Sequence, residues 1–386
     1  MRLLFAESSQ RGYGTEQHIA ALATAMARRG HDVRCLASAG SPVESLLRAA
    51  GVPTHSVGPG PTRGLHMALS LLLMNWQQRP EWLISNDPRF YQMFVGLRHL
   101  SGARIALFRH WHDAPHKARS RELLARQTDR FILVSEFQRE DYRRQGMEVD
   151  RASVLYNPID TERFRSSPER RASTRSRLGL EEAETLIGYV GRILEDKGVF
   201  TLFEASERFL AETPGARMLW VGDGECTPQL QARIHSSAQR ARHILCTWEP
   251  DVSAIYPALD LLVVPSLYPD PFGRVSVEAQ AAGVPVVCST AGGLPETLLP
   301  GVTGLLVPAM SSIALANTVL ELIGDRTLRQ KMGHAGTAWA RSRFGLDPIA
   351  RAFETLLEGG SDAQLTSLTS TAACQSRFAP PKIDSV

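Results

Sequence analysis

Short apolar runs recur along the chain, each followed by turn residues and then by apolar positions at helical spacing. In the first 160 residues the runs are "RLLFAES", "HDVRCLAS", "THSVG", "EWLISND", "ARIALFR" and "RFILVSE". Between the first two, "TEQHIAALATAMARRG" places Ile19, Leu22, Ala23 and Met26 on one helical face and stops at Gly30. Continuous apolar strands alternating with amphipathic helices predict a parallel sheet covered on both faces.

The rhythm breaks over 157–184, "NPIDTERFRSSPERRASTRSRLGLEEAE", which is polar and arginine-rich and reads as a linker. It resumes with "TLIGYVGR", "ARMLWVGDG", "HILCTW", "DLLVVPS", "VPVVCST" and "TGLLVP". The expected organisation is therefore two doubly wound α/β domains, over residues 1–160 and 161–345. A last helix over 346–358 is expected to pack back toward the first domain, and the Ser-, Thr- and Pro-containing segment 359–386 to be disordered. Two such domains facing each other enclose a cleft, and open α/β sheets bind ligands beyond the carboxyl ends of their strands.

Composition narrows the function classes. The 386 residues are 43% hydrophobic and 22% charged, as in an ordinary globular protein. The net charge of +3 is too small to argue for nucleic acid. The cysteines at 35, 226, 246, 288 and 374 form no CxxC pair, so a reduced cytosolic protein is expected, not a disulfide framework or a zinc site. "MRLLFAES" reads as a buried strand and not as a signal peptide. The longest apolar stretch, "LHMALSLLLMNW" (65–76), is too short to span a bilayer.

Four stretches at strand ends carry candidate chemistry. "YVGRILEDKG" (189–198) sets Arg192 and Lys197 beside a helix start, where free N–H groups and the helix dipole favour anions. A solvated Arg and Lys is the alternative. "SLYPDPFGRVSVEAQAAG" puts Asp270 on a loop and Glu278 eight residues later, early in a helix. Glu278 can accept two hydrogen bonds from a ribose diol, or can simply complement the helix dipole. The N–H groups after Gly273 can meet phosphate oxygens. "SSQRGYGTEQH" (8–18) is a glycine loop leading into a helix, without a G-x-G-x-x-G fingerprint. "LFRHWHDAPH" (107–116) gathers His110, His112, Asp113 and His116, which suit a hydrogen bond to a polar ligand better than a metal.

Together these motifs resemble the family 4 (group 1) retaining nucleotide-sugar glycosyltransferases, over about residues 1–358. The family's "GGxE" loop reads "GYGTE" here, with Gly12, Gly14 and Glu16; Tyr13 adds bulk. Its interdomain "hNGhD…F" reads "YNPIDTERF" (156–164), with Pro158 in place of glycine. "GRxxxxKG" is present as Gly191, Arg192, Lys197 and Gly198, "hVGdG" as "WVGDG" (220–224), and "GGxPE" as Gly292 to Glu296. The signature "EPFGxxxxEA" reads "DPFGRVSVEA", so Asp270 stands where the family has Glu and reaches one methylene less far.

The resemblance implies the GT-B fold of two facing Rossmann-like domains with a cleft between them. It implies that Arg192 and Lys197 hold the donor diphosphate, Glu278 the ribose, and Asp270 the donor sugar. It places His110, or else His112, near that sugar. Gly12 and Gly14 would approach the phosphates and acceptor. Phe272, Gly273, Arg274 and Val275 would line the donor site, and the base would lie near Trp248 and Glu249. The implied reaction moves a sugar from a nucleotide-diphosphate donor to a glycan or lipid-linked acceptor of lipopolysaccharide type, with retention. No essential metal, cofactor or nucleic-acid partner is expected. A nucleotide-sugar epimerase and a non-catalytic binding subunit of the same fold remain as alternatives.

A cytoplasmic protein peripheral to the inner membrane face is the expected location. Arg163, Arg165, Arg170, Arg171, Arg175 and Arg177 of the linker and the basic stretch "HKARSRELLARQ" would meet anionic headgroups. The alternative is that both are simply solvated.

Overall fold

The computed structural model describes residues 1–10, 14–111, 114, 118–249 and 251–360. Of the segment 359–386 expected to be disordered, residues 361–386 lie outside the described residues.

The chain divides into two units. The first opens with β1 (Arg2–Glu7), α1 (Gly14–Arg28), β2 (Asp32–Ser38), α2 (Pro42–Ala49), β3 (Thr54–Val57), α3 (Arg63–Gln78), β4 (Trp82–Ser85), α4 (Pro88–Ser101), β5 (Arg104–Arg109), α5 (Ala118–Gln127), β6 (Arg130–Leu133), α6 (Glu136–Arg144) and β7 (Ala152–Val154). Its seven strands are parallel in the order β3-β2-β1-β4-β5-β6-β7. The second unit, Asp160–Gly345, holds α7 (Pro168–Arg177), β8 (Thr185–Val190), α8 (Val199–Glu212), β9 (Ala216–Val221), α9 (Thr227–Ser236), β10 (His243–Cys246), β11 (Leu261–Val264), α10 (Arg274–Ala281), β12 (Val286–Ser289), β13 (Gly304–Val307), α11 (Ser312–Gly324) and α12 (Arg326–Phe344). Its six parallel strands run β10-β9-β8-β11-β12-β13.

Both sheets start at their first strand, build outward on one side, then return to build on the other. The strand order therefore reverses beside β1 in one unit, at β1/β4, and beside β8 in the other, at β8/β11. Loops diverge there to opposite faces and leave a crevice at the strand ends. The apolar runs become buried strands: Leu3, Leu4, Phe5 and Ala6 in β1 and Leu261, Leu262 and Val263 in β11 are at most 1% exposed. Trp220 and Phe209 anchor the core of the second unit, and Phe90, Phe94 and Leu71 that of the first.

After α12 the chain re-enters the first unit as α13 (Leu346–Leu357), which packs on α1. Its Phe353 ring lies 5.5 Å from Phe108 at the end of β5. Outside, Arg29 bonds Glu354 and lies 3.2 Å from Asp347, while His31 Nε2 meets Glu354 Oε1 at 2.8 Å.

The structure corrects two readings of local pattern. β7 was not among the expected strands; three residues before Asn157-Pro158 give too short a run to stand out. The expected linker contains a helix, α7, started by Ser167, whose side chain accepts from Arg170 N–H, and Pro168. Its arginines are engaged within their own unit. Arg175, 2% exposed, meets Asp260 at 3.3 Å; Arg171 meets Asp260 at 3.0 Å, Arg177 Glu249 at 2.7 Å and Arg163 Asp251 at 3.1 Å. A polar sequence can fold as a packed helix when each buried guanidinium finds a carboxylate or carbonyl. Arg175 is thereby withdrawn from the surface, whereas the Arg163 and Arg177 side chains stay about half exposed.

Candidate functional site

In the second unit the candidate residues gather at the β8/β11 reversal. β8 ends at Val190, and the chain passes through Gly191 and exposed Arg192 into a short 3-10 turn, Glu195–Lys197. Gly198 follows at φ +73°, and a Cβ there would lie 1.9 Å from the Pro265 carbonyl oxygen. This close approach seats the start of α8 on the end of β11. The Asp196 carbonyl accepts the N–H groups of Leu267 (2.9 Å) and Tyr268 (3.1 Å), so the two loops are joined by backbone. As a result Lys197 Nζ reaches Asp270 Oδ2 at 2.7 Å, both side chains a little over a fifth exposed.

The Asp270 loop is fixed from its other side by the "GGLPE" segment. Gly293 N–H donates to the Asp270 carbonyl at 2.7 Å, and a Cβ on Gly292 would stand 2.3 Å from that same oxygen. Gly273, at φ +89°, turns the chain into α10 with no side-chain cap. Within the first turn of α10 the Ser276 N–H donates to the Gly273 carbonyl at 3.2 Å. Phe272 is buried with its ring 5.5 Å from Phe344; Arg274 and Val275 are half-buried on the first turn.

Glu278, one turn further along α10, is 7% exposed. The Tyr256 hydroxyl donates to its Oε2 at 2.7 Å, and Arg274 lies 3.4 Å from Oε1. Tyr256 is fully buried, and burial followed by the Glu278 charge pushes its phenol well above the ordinary value. It is a neutral donor at any working pH. With one phenol and one guanidinium in place, Glu278 keeps lone pairs for a further donor pair such as a vicinal diol. Sequence reading missed Tyr256, which sits in "SAIYPALD" outside every motif, and only the fold brings it to α10.

Trp248 and Glu249 follow β10, two strands from the reversal. Trp248 is 80% exposed, whereas Glu249 pairs with Arg177. Of the two, the tryptophan offers the free surface on which a flat ring could stack.

In the first unit, His110 follows β5 and is 8% exposed. Its ring lies edge-on to His18 at 4.7 Å and parallel to Phe108 at 6.3 Å. His18, on α1 and fully buried, bonds Asn157 Oδ1 through Nδ1 at 2.7 Å. Neither His18 nor Asn157 was given a role from sequence, although Asn157 lies in the quoted "YNPIDTERF". At the β1/β4 reversal, Ser8 donates to Asp87, and Ser85 donates to the Ala6 carbonyl at 2.7 Å. Gly14 opens α1. Gly12, His112, Asp113 and His116 lie outside the described residues.

The family model described as glycosyl transferases group 1 matches residues 170–339, and that described as glycosyltransferase family 4 matches 13–163. A D-inositol 3-phosphate glycosyltransferase of Nocardia farcinica is 34% identical over 254 residues, 61% of this chain and 55% of that protein. A GDP-mannose-dependent alpha-(1-6)-phosphatidylinositol monomannoside mannosyltransferase of Mycobacterium tuberculosis is 32% identical over 224 residues, 55% of this chain and 58% of that protein. These matches thus span little more than half the length of the curated relatives. Among solved structures, Anabaena HepE in complex with UDP superposes with a TM-score of 0.80 at 22% identity, covering 93% of this chain and 100% of that one. That likeness concerns the fold, the two-domain α/β architecture called GT-B.

Proposed function

Because the chain belongs to the family 4, group 1 glycosyl transferases, we propose that it transfers a sugar from a nucleotide-diphosphate donor to a glycan or lipid-linked acceptor, with retention of anomeric configuration. The observation that carries this reading is the group at the β8/β11 reversal. There Lys197 and Asp270 form a pair, and Glu278 is held by Tyr256 with an adjoining helix start at Gly273. In this reading Arg192, Lys197 and the first N–H groups of α10 bind the diphosphate. The leaving diphosphate gains charge in the transition state, and donors already in place stabilise that charge without reorganising. The role needs no divalent metal. Glu278 accepts the ribose hydroxyls. Asp270, shorter than the family's Glu, is drawn to Lys197 in the free protein, and an incoming diphosphate competes for the lysine and frees the carboxylate for a sugar hydroxyl.

The curated relatives, by their names, act on inositol 3-phosphate and phosphatidylinositol mannosides. They support a polyol or lipid-linked acceptor more than the lipopolysaccharide acceptor expected from sequence.

The test is a thermal-shift panel with UDP, GDP, ADP and dTDP on the parent, Lys197→Ala and Glu278→Ala. A diphosphate at about 100 times its dissociation constant adds about 2.7 kcal/mol. For a unit of this size that is a rise of about 5–10 °C. One diphosphate should raise the parent and neither variant. No rise with any of the four in the parent, or an equal rise in both variants, overturns the assignment.

A further inference from the structure

Helix α3 is apolar on two opposite faces. Met67, Leu71 and Met74 are buried against the first unit's core. Leu65, Leu69, Leu72 and Leu73 are 43–59% exposed, and Trp76 is 73% exposed. At about 100° per residue these five fall in one arc of about 100°, a continuous stripe along the outer side of the helix. Isolated exposed leucines need no explanation, but a stripe of four leucines and a tryptophan on one helix does. Leu100, at the end of the neighbouring α4, is exposed as well.

Charge says what the stripe faces. From Thr54 to Pro80, through β3 and α3, the sequence holds no Asp or Glu; exposed Arg79 closes the helix and exposed His66 lies in its first turn, while Arg63 turns inward and donates to the Ser8 carbonyl and the Ser38 hydroxyl. α4, which packs on α3, also lacks acidic residues. A second copy of this chain would set like charge against like. An anionic surface would complement it. At 16 residues α3 is about 24 Å long, too short to cross a bilayer but suited to lie along one. Among the described residues no helix is long and apolar enough to cross a membrane.

We propose that the outer face of α3 docks the protein on an anionic lipid bilayer. Leu65, Leu69, Leu72 and Leu73 enter the acyl boundary, Trp76 sits at headgroup level, and Arg79 meets phosphates. The site differs from the arginine-rich segment around α7, and it does not depend on the donor assigned above.

The experiment is co-sedimentation of the full chain with phosphatidylcholine vesicles, with and without phosphatidylglycerol, for the parent, Leu69→Ser/Leu73→Ser and Trp76→Phe. The parent should pellet with the anionic vesicles and release in high salt. The double variant should partition more than about tenfold less, since each buried leucine is worth a factor of that order. Brominated acyl chains should quench the parent's tryptophan emission more than that of Trp76→Phe. Because the substituted side chains are exposed, melting temperature and the response to nucleoside diphosphate should stay at parental values in both variants. Equal partition of parent and double variant overturns the proposal while leaving the transferase reading intact. So does a self-associating parent that ignores vesicles and becomes monomeric in the double variant, which would make the occupant a second copy.

Discussion

Replacing Gly198 by alanine should destabilise the second unit and disconnect the Lys197–Asp270 pair. Two costs add. Alanine at φ +73° pays about 1–2 kcal/mol for the left-handed conformation. Its Cβ would also stand 1.9 Å from the Pro265 carbonyl oxygen, against an ordinary contact of about 3.5 Å, so the start of α8 must back away from β11. Overpacking of this kind costs about 1–3 kcal/mol. Gly301, at φ +76° with nothing within 4 Å of its Cβ position, carries the first cost alone and lies in the same unit. Gly198→Ala should therefore lose about 3 kcal/mol and Gly301→Ala about 1 kcal/mol, after a small gain from the stiffer unfolded chain. For a unit of this size these are falls of about 6–12 °C and about 2–4 °C. Calorimetry of both variants, followed by nucleoside diphosphate titration, reads the two effects. Because Leu267 and Tyr268 hang on the Asp196 carbonyl, Gly198→Ala should also lose diphosphate binding, while Gly301→Ala keeps it. Equal melting falls in the two variants would refute the view that close approach, not backbone conformation, fixes this corner.

Tyr256→Phe removes the one phenol hydrogen bond to buried Glu278. A charge-assisted bond of that kind is worth about 2 kcal/mol, so the denaturation midpoint should fall with an unchanged slope; an unmoved midpoint would mean that the hydroxyl does not hold the carboxylate. His243 gives a pH signature. Its Nδ1 accepts from Trp220 Nε1 at 3.1 Å and its Nε2 faces Glu207 at 3.3 Å, and burial, only partly opposed by Glu207, holds it below the ordinary histidine value of 6.5. The unfolded chain then takes up a proton before the folded one, so stability is complete above the unfolded value and is lost as pH falls through and below 6.5. Thermal melts at about pH 7.5 and about pH 5.5 should show a larger loss for the parent than for His243→Gln, which does not titrate; parallel losses would rule the histidine out.

The strand-and-helix rhythm was legible because the central strands are buried on both faces and the helices mostly on one, which leaves a periodic signature. β7 was not, since three residues before Asn-Pro show no period. α7 was not, because its buried positions are Thr174 and the paired Arg175 instead of apolar side chains. The candidate site was legible where a backbone constraint leaves a glycine, as at Gly198, Gly273 and Gly292, or where a carboxylate stands at a helix start, as at Glu278. Tyr256 and His18 left no such trace. A buried tyrosine or histidine serving a distant partner looks, in sequence, like any other core ring.

The sequence by itself determined the alternation, the two sheets of parallel strands, the loops at their carboxyl ends and the residue types offered there. Tertiary structure decided which ends are neighbours. β8 lies between β9 and β11, so Lys197 meets Asp270 across 73 residues, Tyr256 meets Glu278 across 22, and His18 meets Asn157 across 139. Local periodicity reports only whether a side chain faces a core, because burial follows from the repeat of the helix or strand itself. A contact under 3 Å depends on how whole elements order and pack in space, and that is set by the sum of their long-range burial.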